Sequence, residues 1–212
     1  YADRGGAAED RARAERARGG EVMPAREVRL YGDPVLRRKA EPVADVTPEL
    51  AALISDMFET MYEEEGVGLA GPQVGVSQCV IVVDPREGDV RPFALINPEI
   101  VELGDDLERG EEGCLSLPGL KDIVERPSTC VIRGLQVAIS SPRAPRAASF
   151  SAEAAAPHVK PETREIRMEA SGLLARVLQH EVDHLNGVLF VDRVSPLKRK
   201  MLLKKWKKTR AA

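Results

Sequence analysis

Aromatic side chains are scarce, at 4% of the 212 residues, too few for the stacking platforms that bind single-stranded nucleic acids. Cysteine is scarcer still: Cys79, Cys114 and Cys130. An odd, sparse set makes no disulfide framework and fits a reducing compartment, read here as the cytoplasm. The Arg/Ala-rich opening YADRGGAAEDRARAERARGG also carries acidic residues, which count against an organelle transit peptide while leaving an organelle open. No apolar run reaches membrane-spanning length, so a membrane partner is not expected. Excess positive charge is also absent. The formal net charge of -3 argues against a DNA-binding role for the whole chain.

What is present suits one domain with tails. The hydrophobic fraction of 43% supports a substantial core, and the 31% of charged residues can cover its surface. Residues 1–22 lack apolar periodicity and read as a disordered or loosely helical extension. Residues 23–192 read as the folded domain. Within it the Ser-, Pro- and Ala-rich stretch 140–162 reads as a long surface loop between two strands. Residues 193–212 contain many Lys and Arg and no acidic residue, and read as a basic C-terminal helix.

Thr47-Pro48-Glu49 is a helix start, with a hydroxyl cap, a proline at the first turn and an early carboxylate. Leu50, Leu53, Ile54, Met57, Phe58 and Met61 follow at helical spacing. Strands are expected at Cys79–Val83, Phe93–Ile96, Cys130–Arg133 continuing through Leu135–Ile139, around Ile166 and Met168, and at the short VLFVD run 188–192. A second helix is expected from about Gly172 to Asn186, with Ser171 before it and Gly187 past its end. Leu173, Val177, His180 and His184 fall on one side of it and Leu174, Leu178 and Leu185 on another, so the helix is buried and its histidines face inward.

His180-Glu181-Val182-Asp183-His184 is an H-E-x-x-H sequence on that helix. Residues i and i+4 share a face, so two imidazoles can hold one metal ion with Glu181 beside it to move protons. The plainer alternative is a chance pair of core histidines. A catalytic metal usually takes three protein ligands. The long protease motif would place a third histidine where Phe190 stands, and neither Glu nor His follows His184. Cys114, in Glu112-Gly113-Cys114-Leu115-Ser116, is the upstream candidate, because a thiolate is a strong ligand for such ions. Its alternative is a small buried hydrophobe, the reading preferred for Cys79 and Cys130.

Three segments in order, Gly66-Val67-Gly68-Leu69-Ala70-Gly71-Pro72-Gln73, Glu112–Ser116 and Gln179–His184, resemble the three motifs of the peptide deformylases. The resemblance runs from about Val28 to Lys208, omitting the 140–162 stretch. It implies an α+β fold in which antiparallel β-sheets enclose a central helix carrying the H-E-x-x-H motif. It also implies removal of the N-terminal formyl group from formyl-methionyl nascent peptides. Cys114, His180 and His184 would hold one divalent metal. Fe(II) is the expected ion, with Zn(II), Ni(II) or Co(II) as alternatives. A metal-bound water would attack the formyl carbon with Glu181 as general acid and base. The oxyanion would be met by the metal, the Gln73 amide and the Leu115 backbone N–H. Val67, Gly68, Leu69, Gly113, Leu173 and Val177 would contact the substrate. Gly71 stands where many family members carry alanine, which is expected to loosen the backbone near Gln73. The basic tail resembles helices that dock on the ribosome. The rivals are a metalloprotease cutting internal bonds and a non-catalytic ribosome-associated module.

Overall fold

The computed structural model describes residues 26–138 and 162–210. The expected N-terminal extension and nearly all of the 140–162 loop, together with Ile139, lie outside them. Helix α1 is Pro48–Glu63, with the Thr47 hydroxyl accepting from the Leu50 N–H at 3.3 Å. Five antiparallel strands form one sheet: β1 (Gly68–Ala70), β2 (Val80–Val83), β3 (Phe93–Leu103), β6 (Thr129–Val137) and β7 (Thr163–Ser171), in spatial order β1-β2-β3-β6-β7. A separate hairpin pairs β4 (Leu107–Gly113) with β5 (Lys121–Pro127).

Strand β2, Val-Ile-Val-Val, is apolar throughout because both faces of the sheet are covered. Val80 and Val82 meet α1 through Leu53, Ile54, Met57 and Met61. Ile81 and Val83 meet Ala175, Val177 and Leu178 of helix α2, Gly172–Leu185. Each such fully buried aliphatic side chain contributes roughly 1.5–3 kcal/mol. Strand β7 runs directly into α2 at Gly172, whose φ of +56° is left-handed backbone that glycine adopts without steric cost. That corner lays α2 over the sheet. The β4–β5 hairpin covers its other side, with the Gln179 amide donating to Pro127 O at 2.9 Å. The fold is therefore α+β, with antiparallel sheets around the helix that bears the histidines.

Two expectations are corrected. The hairpin was not foreseen: its outward positions mix charged residues with exposed Leu107 and Ile123, and Glu112 and Arg126 occupy inward positions where apolar residues would have marked strands. The run 188–192 is not a strand. Phe190–Asp192 is a 3-10 turn, closed by Asp192 accepting from the Leu189 N–H at 2.9 Å. Leu189, Phe190 and Val191 are all buried, packed with Leu117, Leu203 and Trp206. Helix α3, Pro196–Arg210, is held by Trp206, whose indole N–H donates to Pro118 O at 3.2 Å while its ring meets Tyr31 edge to face at 5.8 Å.

Candidate metal centre

The hairpin delivers Cys114 one residue past the end of β4, and α2 delivers His180 and His184. One ligand atom from each lies within 4.8 Å of the others. Cys114 Sγ is 3.2 Å from His184 Nε2. His180 Nδ1 meets Glu112 Oε2 at 3.0 Å, which leaves Nε2 as the ring nitrogen that can ligate a metal. Cys79 and Cys130 do not join the cluster. Burial pushes the Cys130 thiol up to about 11 and raises Cys79 as well.

Charge around the cluster favours a cation. Burial pulls His180 down, yet its hydrogen bonds to Cys114 and Glu112 push it up to about 10. Burial and the neighbouring His180 charge hold His184 well below 6.5. The donors also suit a borderline divalent ion: one thiolate and two imidazoles, with the His184 Nδ1 and Glu181 Oε2 atoms buried and unpartnered among the described residues. These residues fit a metal ion.

Behind His180 stands a closed set of charges. Burial pushes Glu112 up, but His180 and Arg126 hold its carboxyl well below 4.5. Arg126 grips it with two bonds, Nε to Oε1 at 2.6 Å and Nη2 to Oε2 at 2.9 Å. Arg126 Nη1 continues to Asp183 Oδ2 at 2.8 Å, and Arg193 reaches the same carboxylate. The carboxylate behind a ligating imidazole fixes its tautomer and orientation. Glu112 stands in the Glu112–Ser116 motif, where the sequence alone points to no role for it. Arg126 was missed, and its signal was a cation at an inward position of an alternating stretch.

Glu181 is buried, and burial pushes it up to about 7 against the pull of His180 and Arg126. Gly68 lies directly against it: a Cβ there would sit 2.5 Å from Glu181 Oε1 and 2.9 Å from Val177 Cγ1. The Gln73 Oε1 accepts from the Ala70 N–H at 2.8 Å, which turns Nε2 toward Cys114 Sγ at 3.6 Å and Ser116 Oγ at 3.4 Å. Gly71 is not loose, contrary to expectation. A Cβ at this position would meet Gln78 O at 2.7 Å and Val76 O at 2.8 Å, so the turn holding Gln73 is closely packed.

The expected substrate contacts divide. Val67, Gly68 and Val177 gather on the α2 side with Glu181. The Leu69 side chain does not; strand alternation turns it into the α1 core, fully buried. Leu173, in the first turn of α2, is 39% exposed and belongs to neither core. Gly113 lies beneath Lys121, whose Cγ would be 3.3 Å from an added Cβ. Arg86 was missed: it has left-handed backbone, and its guanidinium donates to Gly66 O at 2.8 Å, steadying the loop before Gly68.

The polypeptide deformylase family model matches residues 25–156 and 155–200. The peptide deformylase of Thermodesulfovibrio yellowstonii is 42% identical over 183 residues, 85% of this chain and 96% of that protein. That of Halothermothrix orenii is 45% identical over 181 residues, 85% of this chain and all of that protein. Among solved structures, the Legionella pneumophila peptide deformylase aligns with a TM-score of 0.71 at 38% identity, over 89% of this chain and 96% of that one. The Synechococcus elongatus enzyme in complex with actinonin aligns with a TM-score of 0.69 at 38% identity, over 89% of this chain and 90% of that one. An α+β fold of this topology, one Cys/His group able to hold a metal ion, and these relatives lead to one conclusion: the chain is an enzyme of the polypeptide deformylase family.

Proposed function

We propose that the chain removes the formyl group from N-terminal formyl-methionine of newly made polypeptides, giving formate and a free amine. Cys114, His180 and His184 hold one divalent metal, Fe(II) by family resemblance. Bound there, the ion supplies Lewis acidity to water and to a carbonyl oxygen. The observation that carries the reading is the placing of Glu181, a buried carboxyl with Oε2 unpartnered, on the helix that bears both histidines and against Gly68.

An extended peptide lies along Val67 and Gly68, where the missing Cβ lets its formyl group approach Glu181. Val67 and Val177 flank the methionine side chain, with Leu173 at the exposed rim. Glu181 takes a proton from the attacking water and returns it to the amine nitrogen as the C–N bond breaks. Gln73 Nε2 and the Leu115 N–H donate to the developing oxyanion. Support for Gln73 is its turned amide, and support for Leu115 is that its N–H meets no acceptor among the described residues.

We further propose a division into an N-terminal extension (1–22), the catalytic domain (23–192) and a basic C-terminal helix (193–212). The exposed Lys200, Lys204, Lys207 and Lys208 of α3 suit rRNA phosphates, which supports docking on the ribosome. Three free cysteines support a cytoplasmic setting. Replacing Glu181 by Ala tests the mechanism: metal is retained and turnover on a formyl-Met peptide is lost. Full turnover in that variant removes Glu181 as the proton carrier.

A further inference from the structure

Arg176 lies on α2 one turn before His180, and the proposed chemistry does not use it. Its guanidinium is tied at three points. Nη1 donates to Glu112 Oε1 at 2.9 Å and to Val124 O at 3.0 Å, and Nη2 donates to Glu108 O at 2.9 Å. It rests directly on the backbone of Gly110, where a Cβ would come within 2.9 Å of its Nε, Cζ and Nη2 atoms. The side chain is only 12% exposed. Glu108 belongs to β4 and Val124 to β5, so one side chain on the helix fastens both strands of the hairpin.

Glu112 shows why this position matters. Its Oε1 accepts from Arg126 and Arg176, and its Oε2 from Arg126 and His180. Two carboxylate oxygens offer about four lone-pair sites, so these donors fill the group. The hairpin brings Cys114, whereas the helix brings both histidines. Arg176 spans that joint.

We propose that Arg176 is a positioning residue for the metal centre. It clasps the β4–β5 hairpin to α2, so that Cys114 keeps its spacing to His180 and His184, and it completes the cage of donors that fixes Glu112 behind the His180 ring. This rests on the reading of Cys114, His180 and His184 as the ligands.

The test follows Co(II)-loaded protein by its cobalt–thiolate absorption and by the rate of metal loss to excess chelator, below the melting temperature of every variant. The parent must first show the thiolate band; its absence overturns the ligand reading and the clasp with it. Given the band, Arg176→Met loses cobalt roughly ten- to a hundredfold faster than the parent. Arg176→Lys, which can reach Glu112 without the planar fork, recovers part of the loss. Val124→Ala loosens the same hairpin through lost packing; it melts lower yet loses cobalt within about twofold of the parent. Parental release from Arg176→Met overturns the proposal. So does release from Val124→Ala as fast as from Arg176→Met, which would reduce Arg176 to general hairpin stability.

Discussion

His180 donates through Nδ1 to Glu112 Oε2 at 3.0 Å, so the helix that carries the motif is braced by the hairpin that carries Cys114. The carboxylate is itself pinned by Arg126, with both side chains almost wholly buried at 4% and 3% exposure. Removing one partner of such a pair leaves a buried charge, which costs about 3–5 kcal/mol. Glu112→Gln is therefore expected to lower unfolding stability at neutral pH by about that amount and to weaken metal binding roughly ten- to a hundredfold. Chemical denaturation and metal titration check the two effects separately.

The same carboxylate sets a pH dependence. Its folded pKa lies below the ordinary value of 4.5, so its contribution to stability is fully present above that value and is lost as pH falls below it. Melting of the metal-free parent should fall progressively as pH drops below about 4.5, and Glu112→Gln should flatten that decline. An unchanged slope would assign acid sensitivity to other groups.

Gly68→Ala tests the approach to Glu181. The new Cβ would stand 2.5 Å from Oε1, so the carboxylate or the strand must move. Turnover should drop by about a hundredfold with metal content unchanged, since a displacement of roughly 1 Å at reacting groups costs on that order. Parental turnover would show that the peptide does not pass this point.

Much of this site was legible in the sequence and part was not. Periodicity from about Gly172 to Asn186 placed His180 and His184 on a buried helix, because the sheet on one side and the hairpin on the other demand an apolar surface on several sides. The side-chain direction of Leu69 was not legible, because three residues of strand, taken alone, do not say which face points to which helix. The Leu107–Gly113 and Lys121–Pro127 hairpin stayed invisible for another reason. Glu112 and Arg126 satisfy each other across it, and a paired charge looks the same in sequence as a solvated one. The VLFVD run misled through its three consecutive buried apolar residues, which a tight turn supplies as readily as a strand.

Helix α3 separates packing from charge. Reversing Lys200, Lys204 and Lys208 to Glu should reduce co-sedimentation with ribosomes and leave melting nearly unchanged, because all three are exposed. Trp206→Ala should instead destabilise the fold by about 3–5 kcal/mol, as truncation of a buried large aromatic does. Unaltered co-sedimentation of the triple variant would remove the docking role.

Glu181 should govern the acid limb of the pH–rate profile. Burial raises it to about 7, and a proton acceptor must be ionised to act, so turnover rises with pH as Glu181 loses its proton. A cation on the adjacent histidines favours the ionised form, which sets the midpoint at or below about 7. A limb that persists unchanged in Glu181→Asp would belong to another group.

The central claim is that Cys114, His180 and His184 arm Glu181 against an N-terminal formyl group rather than an internal peptide bond. Its most direct test measures formate and internal cleavage together, on one formyl-Met peptide with metal-loaded protein prepared without oxygen. One formate is expected for each new free N-terminus, with the peptide chain intact. Internal cleavage, or intact formyl peptide after incubation with fully metal-loaded protein, would contradict it.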